Sequence, residues 1–320
     1  MSAEFPRLVA DVGGTHVRFA SQLLADGPLQ ARASYPSADF PGLWEAMKHH
    51  LQAQGLERPR ACAVGIATAI TGDRVQMTNH HWAFSIAALQ RSLGVERLLL
   101  INDFTALALA LPVLAPQDRR QVGGGPAVAG APMGLLGPGT GLGVSGLLPG
   151  IGGGAPVPLA GEGGHVTLAG SEPEEDAVLG CLRRRFGHVS AERALSGPGL
   201  QNLHQALAEV RGLSPDGREA AEITAGEDAL ARDTVQLFCA LLGSVAGNLV
   251  LTLGARGGLY IGGGIVPRLG ERFDGSRFRE RFEAKGRFRD YLAAIPAFVV
   301  NGSDQAALLG ACRALDAAPP

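Results

Sequence analysis

Lysine is nearly missing from this chain: of its 28 basic residues, all but Lys48 and Lys285 are arginine. Neither lysine lies in a glycine loop, which excludes the G-x-x-x-x-G-K-S/T phosphate loop. Cysteine is scarce as well. Cys62, Cys181, Cys239 and Cys312 lie far apart, with no C-x-x-C pair and no zinc spacing, and read as reduced core thiols. The net charge of −2 supplies no global pull toward nucleic acid or an anionic membrane. The opening "MSAEFPRLVADVGG" lacks the basic start and apolar stretch of a signal peptide. No window reaches the roughly 18 uninterrupted apolar residues of a membrane span. The stretch from Leu237 to Ala255 comes closest, but it carries Ser244 and Asn248 and reads as a buried core helix. A cytoplasmic protein with no nucleic-acid and no membrane partner is expected.

What the chain has in quantity is glycine, 46 residues of it, and the glycines cluster. Strands are predicted over 7–12 and 17–24 around a glycine turn, a helix over 40–55 and a strand over 61–67. A helix over 85–94 opens on Ser85 and stops at Gly94, and a strand follows over 97–103. From Phe104 a helix begins that Pro112 disturbs. Residues 133–148 repeat the opening theme of strand, glycine turn with a threonine, strand. Gly13-Gly14-Thr15 marks the first turn and Gly139-Thr140-Gly141 the second. Helices over 174–187 and about 227–254 come next, then strand, glycine cluster and helix start over 257–268. A strand over 297–302 and a helix over 304–315 end the pattern. Strands alternating with helices, supplemented by hairpins, define an α/β protein with mixed sheets. The two similar hairpins suggest two lobes, with a cleft where the turns face each other.

A glycine turn after a strand presents backbone N–H groups unobstructed by side chains, and such nests bind anionic oxygens. Three exist here: Asp11 to Thr15, Gly137 to Gly143, and Gly262 to Gly264. Thr15 and Thr140 add hydroxyl donors. The dinucleotide pattern G-x-G-x-x-G is met only loosely, because "GPGTGLG" runs on into a strand rather than a helix. With no lysine to meet a terminal phosphate, negative charge falls to N–H dipoles and a metal ion. Mg²⁺ takes oxygen ligands and keeps several waters. Asp11 is the natural carboxylate for it, and a turn-forming aspartate is the alternative.

In "LLINDF", three aliphatic residues run into Asn102-Asp103. A carboxylate at the end of a buried strand can act as a general base, and phosphoryl transfer asks for alignment, charge neutralisation and one proton acceptor. The competing role for Asp103 is to cap the following helix. Glu162 and His165 sit in a loop of small residues, "AGEGGHVTLAG". Half a zinc site is conceivable there, but H-E-x-x-H is missing, and a polyhydroxylated ligand suits the pair better. Glu192 adds an acid, or is a solvated helix residue beside Arg193. Asn79 and Trp82 lie in "MTNHHWAFS", whose His80 and His81 read as structural. Several acids and amides together would select a sugar by its hydroxyls.

Seven ordered motifs carry a resemblance: "LVADVGGTHVRFA", "TGDRVQMTNHHWAFSI", "INDFTALALALP", "GPGTGLGV", "GEGGHV", "HVSAERALSGPGL" and "IGGGIVPR". The chain resembles the bacterial ATP-dependent glucokinase family, outside the ROK branch, within the actin/hexokinase/sugar-kinase superfamily. The resemblance runs nearly end to end. It implies a two-lobed ribonuclease H-like or actin-like fold, each lobe a mixed sheet flanked by helices, with a cleft between. Residues 1–113 and 298–320 would form the small lobe and 114–297 the large one. It implies a cytosolic homodimer, with glucose and ATP as small-molecule partners and Mg²⁺ as cofactor. ATP would be bound by Ala10, Asp11, Val12, Gly13, Gly14, Thr15, Gly139, Thr140, Gly141, Gly263 and Gly264. Glucose would be held by Asn79, Asn102, Asp103, Glu162, His165 and Glu192, with Asp103 as base for the 6-hydroxyl.

His16 stands where members often have Asn, and Ala69 replaces a frequent Pro. The Cys-rich zinc motif of the ROK branch is absent, so no structural zinc is expected. A kinase for another hexose or an amino sugar is the nearest alternative. A polyphosphate-using kinase would favour a basic channel that the sequence does not show. A sugar-responsive regulator would need an N-terminal helix-turn-helix, for which too few residues precede the first strand.

Overall fold

The computed structural model describes residues 5–25, 27–78 and 80–317. The chain divides into two compact units, one of Met1–Leu114, Gly150–Ala160 and Gly302–Pro320, the other of Ala115–Pro149 and Gly161–Asn301.

The first unit holds a five-stranded sheet in the order Gln30–Pro36, His16–Gln22, Arg7–Val12, Ala61–Ile66, Arg97–Asn102. Arg7–Val12 and Ala61–Ile66 are buried at every position, as central strands covered on both faces must be. Alternation along Arg7–Val12 sorts its side chains. Leu8, Ala10 and Val12 join the core under the helices Leu43–Ala53 and Ile86–Leu93. Val9 joins Ala61, Ala63 and Ala106 on the other face, under the final helix Ser303–Ala317. Small residues there let backbones approach: a Cβ on Gly310 would lie 1.7 Å from the Ala106 carbonyl oxygen. The three parallel strands finish in line, with Val12 opposite Ile66 and Ile66 opposite Asn102. Ligand groups in α/β sheets gather at such carboxyl ends.

In the second unit the strands run in the order Leu142–Leu148, Met133–Pro138, Leu259–Ile261, Ala297–Val300, Arg119–Gln121. Its longest helix, Ala229–Leu253, is apolar and long enough to cross a membrane, yet 67% of its most apolar window is buried in the protein. Its Gly243 and Gly247 receive the helix Phe278–Glu283: a Cβ at either would come within 2.3 and 2.6 Å of the Phe278 and Phe282 carbonyl oxygens. The core-helix reading of this stretch accounts for that packing. Arg281 and Glu175, 3% and 2% exposed, form a buried ion pair at 2.8 Å, and Arg281 also donates to Ser244.

The predicted elements are present, with the expected cap of Ser85 accepting the Ala88 N–H and Gly94 left-handed at φ +62°. The α-helix from Asp103 ends at Ala110, and a 3₁₀ turn carries Pro112. One placement is corrected. Ala297–Val300, expected with the small lobe, pairs in parallel with Leu259–Ile261 and belongs to the second unit's sheet. Buried at all four positions, it needs a neighbour on each edge and finds them in Leu259–Ile261 and Arg119–Gln121. Only the helix after Gly302 returns to the first unit, which also takes residues 150–160. The strand Gln30–Pro36, whose Ala31, Ala33 and Tyr35 alternate with exposed residues, was not anticipated, and neither were Arg74–Gln76, Ala83–Ser85 and Arg119–Gln121, which at three residues are too short for a period-2 signal.

Candidate active site

In the first unit, Arg7–Val12 and His16–Gln22 form the hairpin around the first glycine turn. The Gly13 N–H closes on the His16 carbonyl at 2.9 Å. Ser37 holds the turn from the neighbouring strand end, its hydroxyl donating to the Gly13 carbonyl at 3.2 Å and its N–H to that of Thr15 at 2.9 Å. Thr15 and His16 are exposed, while Ala10 and Val12 are fully buried, so the last two can offer a ligand nothing but backbone. Asp11 is mostly buried and faces Arg18 across the hairpin, with Arg18 Nη1 3.2 Å from its Oδ2. Its carboxylate therefore carries a cation partner in addition to any metal.

At the end of Arg97–Asn102 both residues of the Asn-Asp pair meet the start of the following helix. Asn102 is the cap: its Oδ1 accepts the N–H groups of Phe104 at 2.9 Å and Thr105 at 3.2 Å. Asp103 opens the helix Asp103–Ala110, its Oδ1 also accepting the Phe104 N–H at 2.9 Å. Both are half-buried. A carboxylate is stabilised at a helix N-terminus by the unsatisfied N–H groups and the dipole. Gly65, on the adjacent strand, makes room for this turn: a Cβ there would stand 3.1 Å from the Ala106 Cβ and 3.6 Å from the Asp103 Cα. Asn79 lies outside the described residues. Its neighbour Trp82 is buried, with its indole N–H on the Phe40 carbonyl at 3.0 Å. His80 packs edge-on against Trp82, its pKa held below the usual imidazole range by burial and by His81, consistent with a structural role.

In the second unit the strands Met133–Pro138 and Leu142–Leu148 form the second hairpin, and its turn exposes Thr140. The Gly262–Gly264 cluster lies against it. The Gly262 N–H donates to the Leu136 carbonyl at 2.8 Å, and Gly263, at φ +74°, has its Cβ position 2.3 Å from the Pro138 carbonyl oxygen. Position 263 therefore demands glycine twice over, for backbone angle and for space. Two of the three predicted nests are thus one neighbourhood.

The loop with Glu162 and His165 is pressed onto the same hairpin. Cβ atoms on Gly163 and Gly164 would meet Val144 Cγ1 at 2.7 Å and the Leu142 carbonyl oxygen at 2.1 Å. Glu162 and His165, both exposed, flank this pair, and the His165 N–H closes the turn on the Glu162 carbonyl at 3.0 Å. The loop continues beside residues 189–191, with the Leu168 N–H on the Val189 carbonyl and the Ala191 N–H on that of Val166. That pairing brings Glu192 to the hairpin, where its Oε2 accepts the Leu142 N–H at 2.9 Å. Glu162, His165 and Glu192 are so gathered on one strand pair with the glycine turn. Among the described residues, no group of three or more His, Cys, Asp or Glu is placed to hold a metal ion. The four cysteines are buried free thiols, and burial pushes those of Cys62 and Cys239 up to about 12.

Sequence reasoning missed Arg18 and Ser196. Arg18 was legible, because counting outward from the glycine turn places it opposite Asp11. Ser196 was not. Its contacts, described below, depend on how the helix Gly197–Val210 meets the hairpin.

Each unit thus carries a glycine-turn hairpin with polar side chains near it, the elements that the resemblance to sugar kinases implies. The glucokinase family model matches residues 8–318. The chain is 54% identical to a glucokinase of Aromatoleum aromaticum, over 98% of this chain and 96% of that one. It is 50% identical to a glucokinase of Chromobacterium violaceum, over 93% and 86%. The crystal structure of a glucokinase from an Antarctic psychrotroph superposes with a TM-score of 0.88 at 36% identity, covering 98% of this chain and 99% of that one. The chain belongs to the glucokinase family.

Proposed function

We propose that the chain transfers the γ-phosphoryl group of ATP to the 6-hydroxyl of D-glucose, giving glucose 6-phosphate and ADP, with Asp103 as the base. Family membership supports the activity. The observation that carries the residue assignment is the Asn102-Asp103 pair: a carboxylate fixed at a helix N-terminus, at the carboxyl end of three parallel strands, with its neighbour at the N-cap position and sharing the Phe104 N–H with it.

The assignments follow from the chemistry of each group. Asp103 accepts the proton of the 6-hydroxyl as its oxygen attacks the γ-phosphorus. Asn102 spends its carbonyl oxygen on the cap, and its amide donors suit a sugar hydroxyl. Glu162, His165 and Glu192 bond other hydroxyls, as does Asn79. The turns at Gly13, Gly14 and Thr15, at Gly139, Thr140 and Gly141, and at Gly263 and Gly264 receive the nucleotide through N–H groups and threonine hydroxyls. Ala10 and Val12 support the first turn through backbone alone. Mg²⁺ needs few protein ligands when phosphates share it, and the single carboxylate of Asp11, ion-paired with Arg18, fits a water-mediated contact. When bound, the ion neutralises charge on the phosphate oxygens.

The decisive measurement is a coupled ADP-release assay with MgATP over a panel of hexoses and amino sugars, and with polyphosphate in place of ATP. Turnover on glucose with ATP, well above that on any other pair, is expected. A higher kcat/KM for an amino sugar would move the substrate assignment there.

A further inference from the structure

Glu192 is expected to meet the sugar, and in this structure one of its carboxylate oxygens, Oε2, is also engaged beside the glycine turn. Oε2 accepts the Leu142 N–H at 2.9 Å and occupies the space beside Gly141, where a Cβ would come within 2.4 Å of it. The same segment grips the turn again: the Gly197 N–H donates to the Gly139 carbonyl at 2.8 Å. Ser196, 2% exposed, ties these contacts together. Its hydroxyl donates to the Glu192 carbonyl at 2.8 Å and accepts the Gly199 N–H at 3.0 Å as the cap of Gly197–Val210. A turn of two glycines and an exposed threonine has little side-chain packing to shape it, and nothing lies within 4 Å of a Cβ on Gly139. Its conformation depends on bonds of this kind.

We propose that Glu192 is a positioning residue of the nucleotide-side turn: its carboxylate, seated through Ser196, sets the geometry in which Gly139–Gly141 receives phosphates. This rests on the reading that the turn receives ATP. A carboxylate beside a phosphate site repels the ligand by charge alone, so a mere neighbour and a positioning residue predict opposite signs. Removing a neighbour tightens nucleotide binding. Removing the acceptor that holds the turn weakens it.

The test is calorimetric titration of a non-hydrolysable ATP analogue with Mg²⁺, with no sugar present, into the full chain. Glu192→Ala is expected to weaken binding about tenfold, the scale of a charge-assisted hydrogen bond. Glu192→Gln keeps an acceptor oxygen and is expected to stay within about threefold of wild type. Gly141→Ala is the second variant. Gly141 lies outside the left-handed region, and the new Cβ meets only the end of a flexible side chain, so the chain folds while the carboxylate is displaced. The double variant Gly141→Ala/Glu192→Ala is expected to bind no more weakly than Gly141→Ala alone, since both break one contact. Unchanged or tighter binding in Glu192→Ala, or additive losses in the double variant, overturns the proposal. A wild-type chain that binds the analogue but phosphorylates no glucose defeats the preceding reading alone. One that binds no analogue defeats both.

Discussion

Asp103 and Gly263 carry the sharpest expectations at the scale of single residues. Asp103→Asn keeps the size and the Oδ1 acceptor for the Phe104 N–H, and removes the proton acceptor. It is expected to lower kcat by about 10² to 10⁴-fold while glucose affinity changes little, read from steady-state kinetics and equilibrium sugar binding. Wild-type turnover in that variant would dismiss Asp103 as the base. Gly263→Ala places a methyl group against the Pro138 carbonyl at a left-handed backbone position. A loss of more than about 1 kcal/mol in folding stability, together with weaker nucleotide binding, is expected from denaturant titration and calorimetry. The residue types of the site were legible from sequence because carboxylates, amides and glycines at the ends of apolar runs are unusual where a core is being built. Their partners were less so. Arg18 follows from hairpin register, whereas the commitment of Glu192 to Leu142 joins positions 50 residues apart in the chain.

At the scale of elements, the helix Leu43–Ala53 buries His50 completely. The ring stacks on Phe19 at 4.9 Å between centroids, and Tyr35 Oη approaches its Nδ1 at 3.4 Å. Burial lowers its pKa from 6.5 to about 4, with His49 adding to the effect. Between those values the unfolded chain holds a proton that the folded chain refuses. The contribution of His50 is thus complete above pH about 6.5 and is lost progressively as pH falls toward about 4. In thermal melts from pH 7 to 4, wild type is expected to lose more stability than His50→Leu, which has nothing to titrate there. Parallel loss in both would dismiss His50 as the source. Sequence places the element but not this chemistry. Apolar spacing shows which helix face turns inward, and the aromatic cluster that meets it comes from two other strands.

At the scale of the whole molecule, the family resemblance implies a homodimer, and sedimentation equilibrium is expected to return about twice the 33.0 kDa chain mass. A single-chain mass at micromolar protein would overturn that expectation. The division of the chain shows the limits of local reading. The final strand looks, by its place beside the last helix, like part of the first unit. It is drawn into the second unit's sheet because Leu259–Ile261 and Arg119–Gln121 offer it the two edges a buried strand needs.

The sequence alone determined the α/β alternation, the two glycine-turn hairpins and the residue types that gather at their ends. Those are local signals, carried by side-chain period, turn chemistry and motif order. Tertiary structure alone decided which sheet receives Ala297–Val300, that Gly262–Gly264 and Gly137–Gly143 make one neighbourhood, and that Glu192 sits on the Leu142 amide. These pairings close loops of many residues. Open strand edges and unfilled space elsewhere in the fold select them, and no local window of sequence contains either.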